Sequence, residues 1–418
     1  MGGGLMQLVA YGAQDIYLTG NPQITFFKVV YRRHTNFSME SIQQTWEGTY
    51  GEGARQTATL SRNGDLIYKM YIQRRCSVGG AAARTDFNLS NPGYNQMNSI
   101  ELEIGGQKID RHTGGFMSNY VELTEPNTCR QSSLSNVDIS EVGGGDGTHT
   151  KFQAMALAGG FRNNPILQGG GLRGNALGGI RPNNTVYQTP LLFWFCRNPG
   201  LALPLIALQY HEVKVIVNWT NLATGAFHTA AMVGTNLAPE LWCDYIYLDT
   251  DERRRFAQVS HEYLIEQVQH QSRGEQTTTL NFNHPVKEII WTGTIDPGGA
   301  ADADRTRGNP GTVGAAGVTW QLKLNGHDRF APRTVPYFTR QQVYDHHTGY
   351  GSVTVPDSIA VYSFALKPEE HQPSGTCNFS RIDNAELISS VPIATEVYAI
   401  NYNVLRIMSG MGGLAYSN

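Results

Sequence analysis

The sequence is short of charge, of paired cysteines and of long apolar runs. Asp, Glu, Lys and Arg make up 16% of its 418 residues and the formal net charge is −3, whereas an ordinary soluble chain is about 25% charged. A chain so close to neutral projects no basic field, which argues against coating nucleic acid or holding an acidic membrane surface by charge. Cys76, Cys129, Cys196, Cys243 and Cys377 lie 53, 67, 47 and 134 residues apart. That excludes the close pairs of zinc ribbons and redox motifs, and an odd, scattered set reads as reduced, buried thiols made in the cytosol. Met1-Gly-Gly-Gly-Leu-Met6 has neither a charged n-region nor an apolar h-region, and Met6 stands where myristoylation requires Ser or Thr. Neither export nor a lipid anchor is expected. The most apolar stretches, Tyr187–Cys196 and Pro199–Tyr210, are parted by Arg197 and fall short of the ~20 residues of a membrane helix. A soluble protein of two or three domains is expected, with no membrane insertion.

What is present is period-two alternation. Ile100, Leu102 and Ile104 bracket Glu101 and Glu103, and Trp320, Leu322 and Leu324 bracket Gln321 and Lys323, the pattern of half-buried strands. Runs rich in β-branched and aromatic residues at Ile24–Tyr31, Leu66–Ile72, Val186–Cys196, Val213–Trp219, Tyr245–Leu248, Thr277–Phe282, Val286–Thr292, Ile359–Leu366 and Glu396–Ile407 are separated by Gly, Pro and Asn clusters. They predict an all-β sandwich or barrel. The clearest helix signal is Asp249 as N-cap with Glu252 three residues on, leading into Arg253–Gln258. Its Arg253-Arg254-Arg255 run reads as a solvated or interface face rather than a phosphate contact.

The chain also repeats itself. Leu102-Glu-Ile-Gly-Gly-Gln107 lines up with Leu322-Lys-Leu-Asn-Gly-His327, each a strand running into a tight turn, and Phe193-Trp-Phe195 before Pro199 resembles Tyr362-Ser-Phe364 before Pro368. Two β domains in tandem account for both pairs. The interval between landmarks is longer in the first half, and the Gly-rich stretch 143–179 is read as the insertion. The uncharged Ala/Gly/Thr-rich stretch 221–238 is read as a linker, with the second domain over 239–418.

Chemistry is sought and not found. Gly169-Gly-Gly171-Leu-Arg-Gly174 satisfies GxGxxG, but no Asp or Glu occurs between Asp146 and Glu212 and Ile180-Arg-Pro182 follows where a helix should continue, so a loop is expected rather than a dinucleotide site. His211-Glu212, His261-Glu262 and His346-His347 form no HExxH or zinc spacing. Ile407-Met-Ser409-Gly-Met411 lacks the first glycine of a nucleophile elbow. Glu369-Glu370 is a carboxylate pair, but sequence cannot set the separation that glycosidase chemistry demands. No catalytic, cofactor-binding or metal residue is assigned.

Several longer stretches are specific. Residues 7–27 (QLVAYGAQDIYLTGNPQITFF), 199–214 (PGLALPLIALQYHEVK), 282–291 (FNHPVKEIIW), 324–330 (LNGHDRF), 363–387 (SFALKPEEHQPSGTCNFSRIDNAEL) and 401–418 (NYNVLRIMSGMGGLAYSN) resemble the major capsid proteins of nucleocytoplasmic large DNA viruses, in particular the algal phycodnavirus and chlorovirus type. Departures concentrate at about 76–96, 128–180, 295–317 and 334–357. The resemblance implies a double jelly roll, two eight-stranded antiparallel β-sandwiches in tandem. Its trimer presents six similar barrels as a pseudo-hexagonal capsomer of an icosahedral shell, in the virion capsid, made and assembled in the host cytoplasm. It also implies neighbouring capsomers and minor capsid proteins on the inner face as partners, with no cofactor and no direct nucleic acid contact. Low charge and the preference for Arg (24) over Lys (8) suit lateral contacts between subunits.

Residues 1–25 are expected to form an arm beneath the capsomer, 26–220 the first jelly roll, and the insertion 143–179 an outward loop with 296–317 rising beside it. Sequons fall at Asn36, Asn88, Asn183, Asn218 and Asn378; those at Asn36, Asn218 and Asn378 lie in or beside expected strands, leaving Asn88 and Asn183 as the candidate N-glycosylation sites. The rival readings are a carbohydrate-binding β-sandwich protein, which is usually secreted, and an enzyme on paired jelly rolls, which needs a convergent acid/base cleft.

Overall fold

The computed structural model describes residues 12–51, 53–76, 91–126, 150–156, 158–159, 185–220, 238–293, 312–351 and 357–416. The chain divides into two compact units, 1–36 and 37–418. In the first, Ile16–Thr19 forms one helical turn, with the Asp15 carboxylate accepting from Gly12 N at 2.6 Å. The strand expected over Ile24–Tyr31 does not form: the described residues of this unit contain no strand. A β-branched, aromatic run is stable as a strand only when a neighbour takes up its backbone groups. Here Phe26 and Phe27 stand exposed, and the first jelly roll begins at Phe37 instead of residue 26.

The second unit is built from strands β1 (Phe37–Gln44), β2 (Arg55–Thr59), β3 (Leu66–Cys76), β4 (Met97–Ile104), β5 (Gln107–Thr113), β6 (Thr185–Pro190), β7 (Leu203–Pro204), β8 (Val213–Trp219) and β9 (Glu240–Leu248). There follow β10 (His261–Arg273), β11 (Thr277–Thr279), β12 (Pro285–Gly293), β13 (Thr319–Leu324), β14 (His327–Asp328), β15 (Arg333–Thr334), β16 (Ile359–Ser363), β17 (Cys377–Asn378), β18 (Ala385–Ser389), β19 (Thr395–Met408) and β20 (Met411–Leu414). The sheets run β1-β9-β3-β6 and β2-β8-β4-β5, then β10-β19-β12-β16 and β11-β18-β13-β14, with β7 on β3 and β17 on β12. Strand order is therefore the same in both halves, and each half is an antiparallel jelly roll of two four-stranded paths, with the short β7, β15, β17 and β20 paired beside them.

Detail repeats as well. β3 carries a bulge between Ile67 and Met70 and β12 one between Val286 and Glu288. The β4–β5 hairpin turns at Gly105 (φ +59°) and Gly106 (φ +83°), and β13–β14 at Asn325 (φ +51°) and Gly326 (φ +77°). Two consecutive positive φ values are what a two-residue hairpin needs to match strand twist, and Gly-Gly and Asn-Gly supply them. The second landmark pair is offset by two: Pro190 pairs with Tyr71 as Val361 pairs with Ile290, which sets Phe193 beside Phe364 rather than Tyr362.

The boundary between the halves also differs from the expectation. Residues 221–237 of the expected linker lie outside the described residues, and β9, expected to open the second domain, is hydrogen-bonded between β1 and β3. Without it the first sheet would lose its middle strand, leaving the ladders of both neighbours open. The connection between barrels is the helix Thr250–Gln258, where the Asp249 carboxylate accepts from Thr250 N at 2.8 Å. Arg253 on this helix pairs with Asp65 at 2.9 Å.

Antiparallel pairing fixes where connections emerge. In the first barrel, β1–β2, β3–β4, β5–β6 and β8–β9 connect at one end, here called upper, and β2–β3, β4–β5 and β6–β8 at the lower end. In the second barrel the corresponding upper connections are β10–β11, β12–β13, β14–β16 and β18–β19. The insertion 143–179, of which only 150–156 and 158–159 are described, belongs to the upper β5–β6 connection, and 296–317 to the upper β12–β13 connection.

Candidate assembly site: the joint between the two jelly rolls

The two barrels share one apolar cluster. Phe116, Met117, Tyr120 and Phe193 of the first pack with Ile290, Val361, Tyr398 and Ile400 of the second. The second barrel keeps a separate core of its own around Trp291, Trp320, Phe338, Val397 and Ala399. Along β19, Val397 and Ala399 point inward while Tyr398 and Ile400 point across the joint, so the strand is buried on both faces and its sequence loses the polar half of the alternation.

A helix, Gly114–Thr124, forms the first barrel's side of the joint. Thr113 caps its start, with Oγ1 accepting from Phe116 N at 3.1 Å, which satisfies one of the orphan donors of the first turn. At the other end, Glu125 N donates to Val121 O at 3.0 Å, and the second barrel satisfies the remaining three carbonyls. Gly351 N donates to Glu122 O at 3.0 Å, Gly349 N to Leu123 O at 2.7 Å, and Thr348 Oγ1 to Thr124 O at 2.7 Å. One barrel thus caps a helix of the other. A Cβ at Gly349 would stand 2.4 Å from Glu122 O and 2.5 Å from Leu123 O, so only glycine permits this approach.

Charges are buried in the joint as well. Arg197 Nη2 lies 2.6 Å from Glu266 Oε2, and Arg197 Nη1 donates to Tyr120 Oη at 2.7 Å. Lys287 Nζ stands 2.9 Å and His371 Nδ1 3.3 Å from the same Glu266 carboxylate. Burial alone would raise the Glu266 pKa, but Arg197 and Lys287 hold it well below the ordinary carboxylate range. Lys287 is lowered by its burial, which Glu266 offsets in part. The neighbouring Glu288 pairs at 3.0 Å with His347 Nε2, whose Nδ1 lies 3.1 Å from Glu369. Burial would push His347 down, yet Glu288 and Glu369 raise it to about 9. Lys287 is the extra residue of the β12 bulge, which breaks the alternation and lets two adjacent charged residues find separate partners.

The barrels also meet at their lower ends. Tyr210 N donates to Gly410 O at 3.0 Å and His211 Nδ1 lies 2.9 Å from Gly412 O, which ties the β7–β8 connection to the β19–β20 hairpin. Upper connections contact upper, and lower contact lower. The two barrels therefore stand side by side with the same polarity.

The motifs singled out in the sequence distribute accordingly. Asn88, Asn183 and Gly169–Gly174 lie outside the described residues. Asn218 Nδ2 donates to Ser99 Oγ at 3.0 Å within the sheet, and Asn378 Oδ1 accepts from Ser380 N at 3.1 Å. Ser409 (φ +53°) begins the tight turn into β20. His347 and Glu369 meet in the joint, whereas Glu370 pairs with Lys367 at the surface. Arg197 and Glu266, which hold the barrels together, sequence reading missed. Their one signal is position, since Arg197 interrupts an apolar run. Among the described residues no His, Cys, Asp or Glu side chains gather as a metal site, and no helix is long and apolar enough to cross a membrane.

Two fused jelly rolls of one strand order and one polarity define the double jelly-roll class of viral capsid proteins. The chain matches the families described as "Major capsid protein N-terminus" over residues 25–249 and "Large eukaryotic DNA virus major capsid protein" over residues 252–413. The break between the matches falls in the connection after β9. The chain is 46% identical to the major capsid protein of Pyramimonas orientalis virus and 40% identical to that of Paramecium bursaria Chlorella virus 1, over the whole of each chain. It superposes on the chain of the PBCV-1 virus capsid with a TM-score of 0.73 at 35% identity, covering 94% of this chain and all of that one. The chain belongs to the family of major capsid proteins of large eukaryotic DNA viruses.

Proposed function

We propose that the chain forms a homotrimer in which six similar barrels make a pseudo-hexagonal capsomer, and that capsomers tile an icosahedral shell assembled in the host cytoplasm. The observation that carries this reading is the side-by-side, same-polarity placement of two barrels of identical strand order. One chain then supplies two corners of a hexagon, and three supply six. The upper ends face outward and carry the long insertions; the lower ends face the interior, where minor capsid proteins bind. The protein acts without catalysis, without direct contact with nucleic acid and without membrane insertion. Asn88 and Asn183, which fall between β3 and β4 and between β5 and β6 in the sequence, are the N-glycosylation sites of this reading. Intact-mass measurement of virion protein reads their occupancy. Light scattering tests the trimer: the expected mass is three times the 46.1 kDa of one chain, and a chain that stays monomeric at high concentration overturns the reading.

A further inference from the structure

The second barrel buries a cation that only neutral groups hold. Arg273 ends β10 with its side chain buried. Its Nη1 donates to Ile393 O at 3.3 Å, and its Nη2 donates to Ser389 Oγ at 2.8 Å and to Gln276 O. Among the described residues no carboxylate stands beside it: burial lowers its pKa to about 10, and no charged group offsets that shift. A guanidinium taken out of water is costly to bury unless an anion replaces what it has lost.

Three buried polar atoms in this part of the barrel, Arg273 Nε, Trp291 Nε1 and Thr395 Oγ1, have no hydrogen-bond partner among the described residues. Strand register gathers them. Arg273 pairs with Thr395 across β10 and β19, and Thr395 with Gly293 across β19 and β12, so the three residues form one row on one face. Val397 and Ala399, two and four residues after Thr395, belong to the barrel's own core. Alternation therefore sets the row on the inner face, together with Trp291, two residues before Gly293. The Trp320 ring of the opposite sheet touches both nitrogen donors' side chains. The Arg273 guanidinium lies 4.6 Å over it, and the Trp291 ring centroid stands 5.6 Å away. Gly293 brings no side chain to the row.

Arg Nε–H and indole Nε1–H can only donate, and a threonine hydroxyl can donate as well. A water would accept from both nitrogens and leave the charge uncompensated, whereas an anion answers the donors and the charge together. We propose that a small monovalent anion, chloride in ordinary salt, is bound inside the upper end of the second barrel, accepting from Arg273 Nε, Trp291 Nε1 and Thr395 Oγ1 in the space Gly293 leaves. It links β10, β12 and β19 just below the upper β10–β11, β12–β13 and β18–β19 connections, so the stability of this end depends on which anion is present. The site lies within one barrel and is the same whether or not chains assemble.

The test melts full-length wild type by calorimetry while chloride replaces gluconate at constant ionic strength, and maps bromide by anomalous scattering from crystals grown in sodium bromide. The melting midpoint is expected to rise by about 1–2 °C for each tenfold of chloride above half-saturation, since one ion is released when a chain of this size unfolds. A bromide peak is expected in contact with all three atoms. Thr395→Val and Trp291→Phe each remove one donor at nearly constant shape; both should keep the circular dichroism of the fold and lose most of the chloride slope, and Arg273→Gln should abolish it. Equal midpoints in chloride and gluconate, or a slope unchanged in all three variants, overturn the proposal. So does a map that shows only water there, or a carboxylate of Asp296, Asp302 or Asp304 in the place of bromide. The wild-type titration and map give the answer even where a variant fails to fold.

Discussion

Arg197 of the first barrel and Glu266 of the second meet at 2.6 Å, and the Glu266 side chain is only 3% exposed. A carboxylate so placed is stable only because cations from both barrels replace the water it has lost. Replacing Arg197 with Ala removes the first barrel's cation from Glu266 and leaves Lys287 of the second. We expect a loss of about 3 kcal/mol, the lower end of the range for breaking a buried pair. Urea unfolding would show it as a lower midpoint, with Arg197→Lys intermediate because it keeps charge but not the planar fork.

His347 makes the joint sensitive to alkali. Its folded pKa is raised to about 9 from an unfolded value of about 6.5. The stability it contributes is therefore fully present below about pH 6.5 and is lost as pH rises through about 9, with about 3 kcal/mol at stake. Urea midpoints of wild type and His347→Gln at pH 6, 8 and 10 should converge as pH rises. A difference between them that is constant with pH would show that the imidazole charge contributes nothing.

Two glycines should respond differently to the same change. Gly106 has φ +83° and open space where a Cβ would stand, so Gly106→Ala is expected to cost only backbone strain, about 1 kcal/mol. Gly349→Ala drives a Cβ into the carbonyls of Glu122 and Leu123. It should cost about 2–4 kcal/mol by forcing the 347–351 segment off the helix it caps. Thermal melts of both variants decide the order.

Removing residues 1–25 should leave the melting of the jelly rolls unchanged, because β1 begins at Phe37 and the second unit has its own cores. Differential scanning calorimetry checks this. A truncated protein that melts several degrees lower would assign the arm a part in folding.

Much of this fold could be read from local signals because those signals are local in origin. Gly105-Gly106 and Asn325-Gly326 mark hairpins whose geometry depends on two residues, and the alternation at Ile100–Ile104 reports a strand with one wet face. Where burial is set by a distant partner the signals fail. Gly114–Thr124 is packed nearly all round and opens on two glycines, so it shows neither an amphipathic stripe nor a strong propensity. β9 follows an Ala/Gly/Thr-rich stretch and reads as a new beginning, although it completes a sheet whose other strands lie far back in the chain. Ile24–Tyr31 has strand composition without a partner. Lys287 and Glu288 look misplaced within an apolar strand until the bulge and the opposing barrel give each its counter-ion.

The shared polarity of the barrels separates what can vary from what cannot. The β3–β4, β5–β6 and β12–β13 connections all leave from one end, and the β5–β6 connection also supplies the joint helix Gly114–Thr124. Chain length added at that end outside this helix therefore leaves the joint between the barrels untouched.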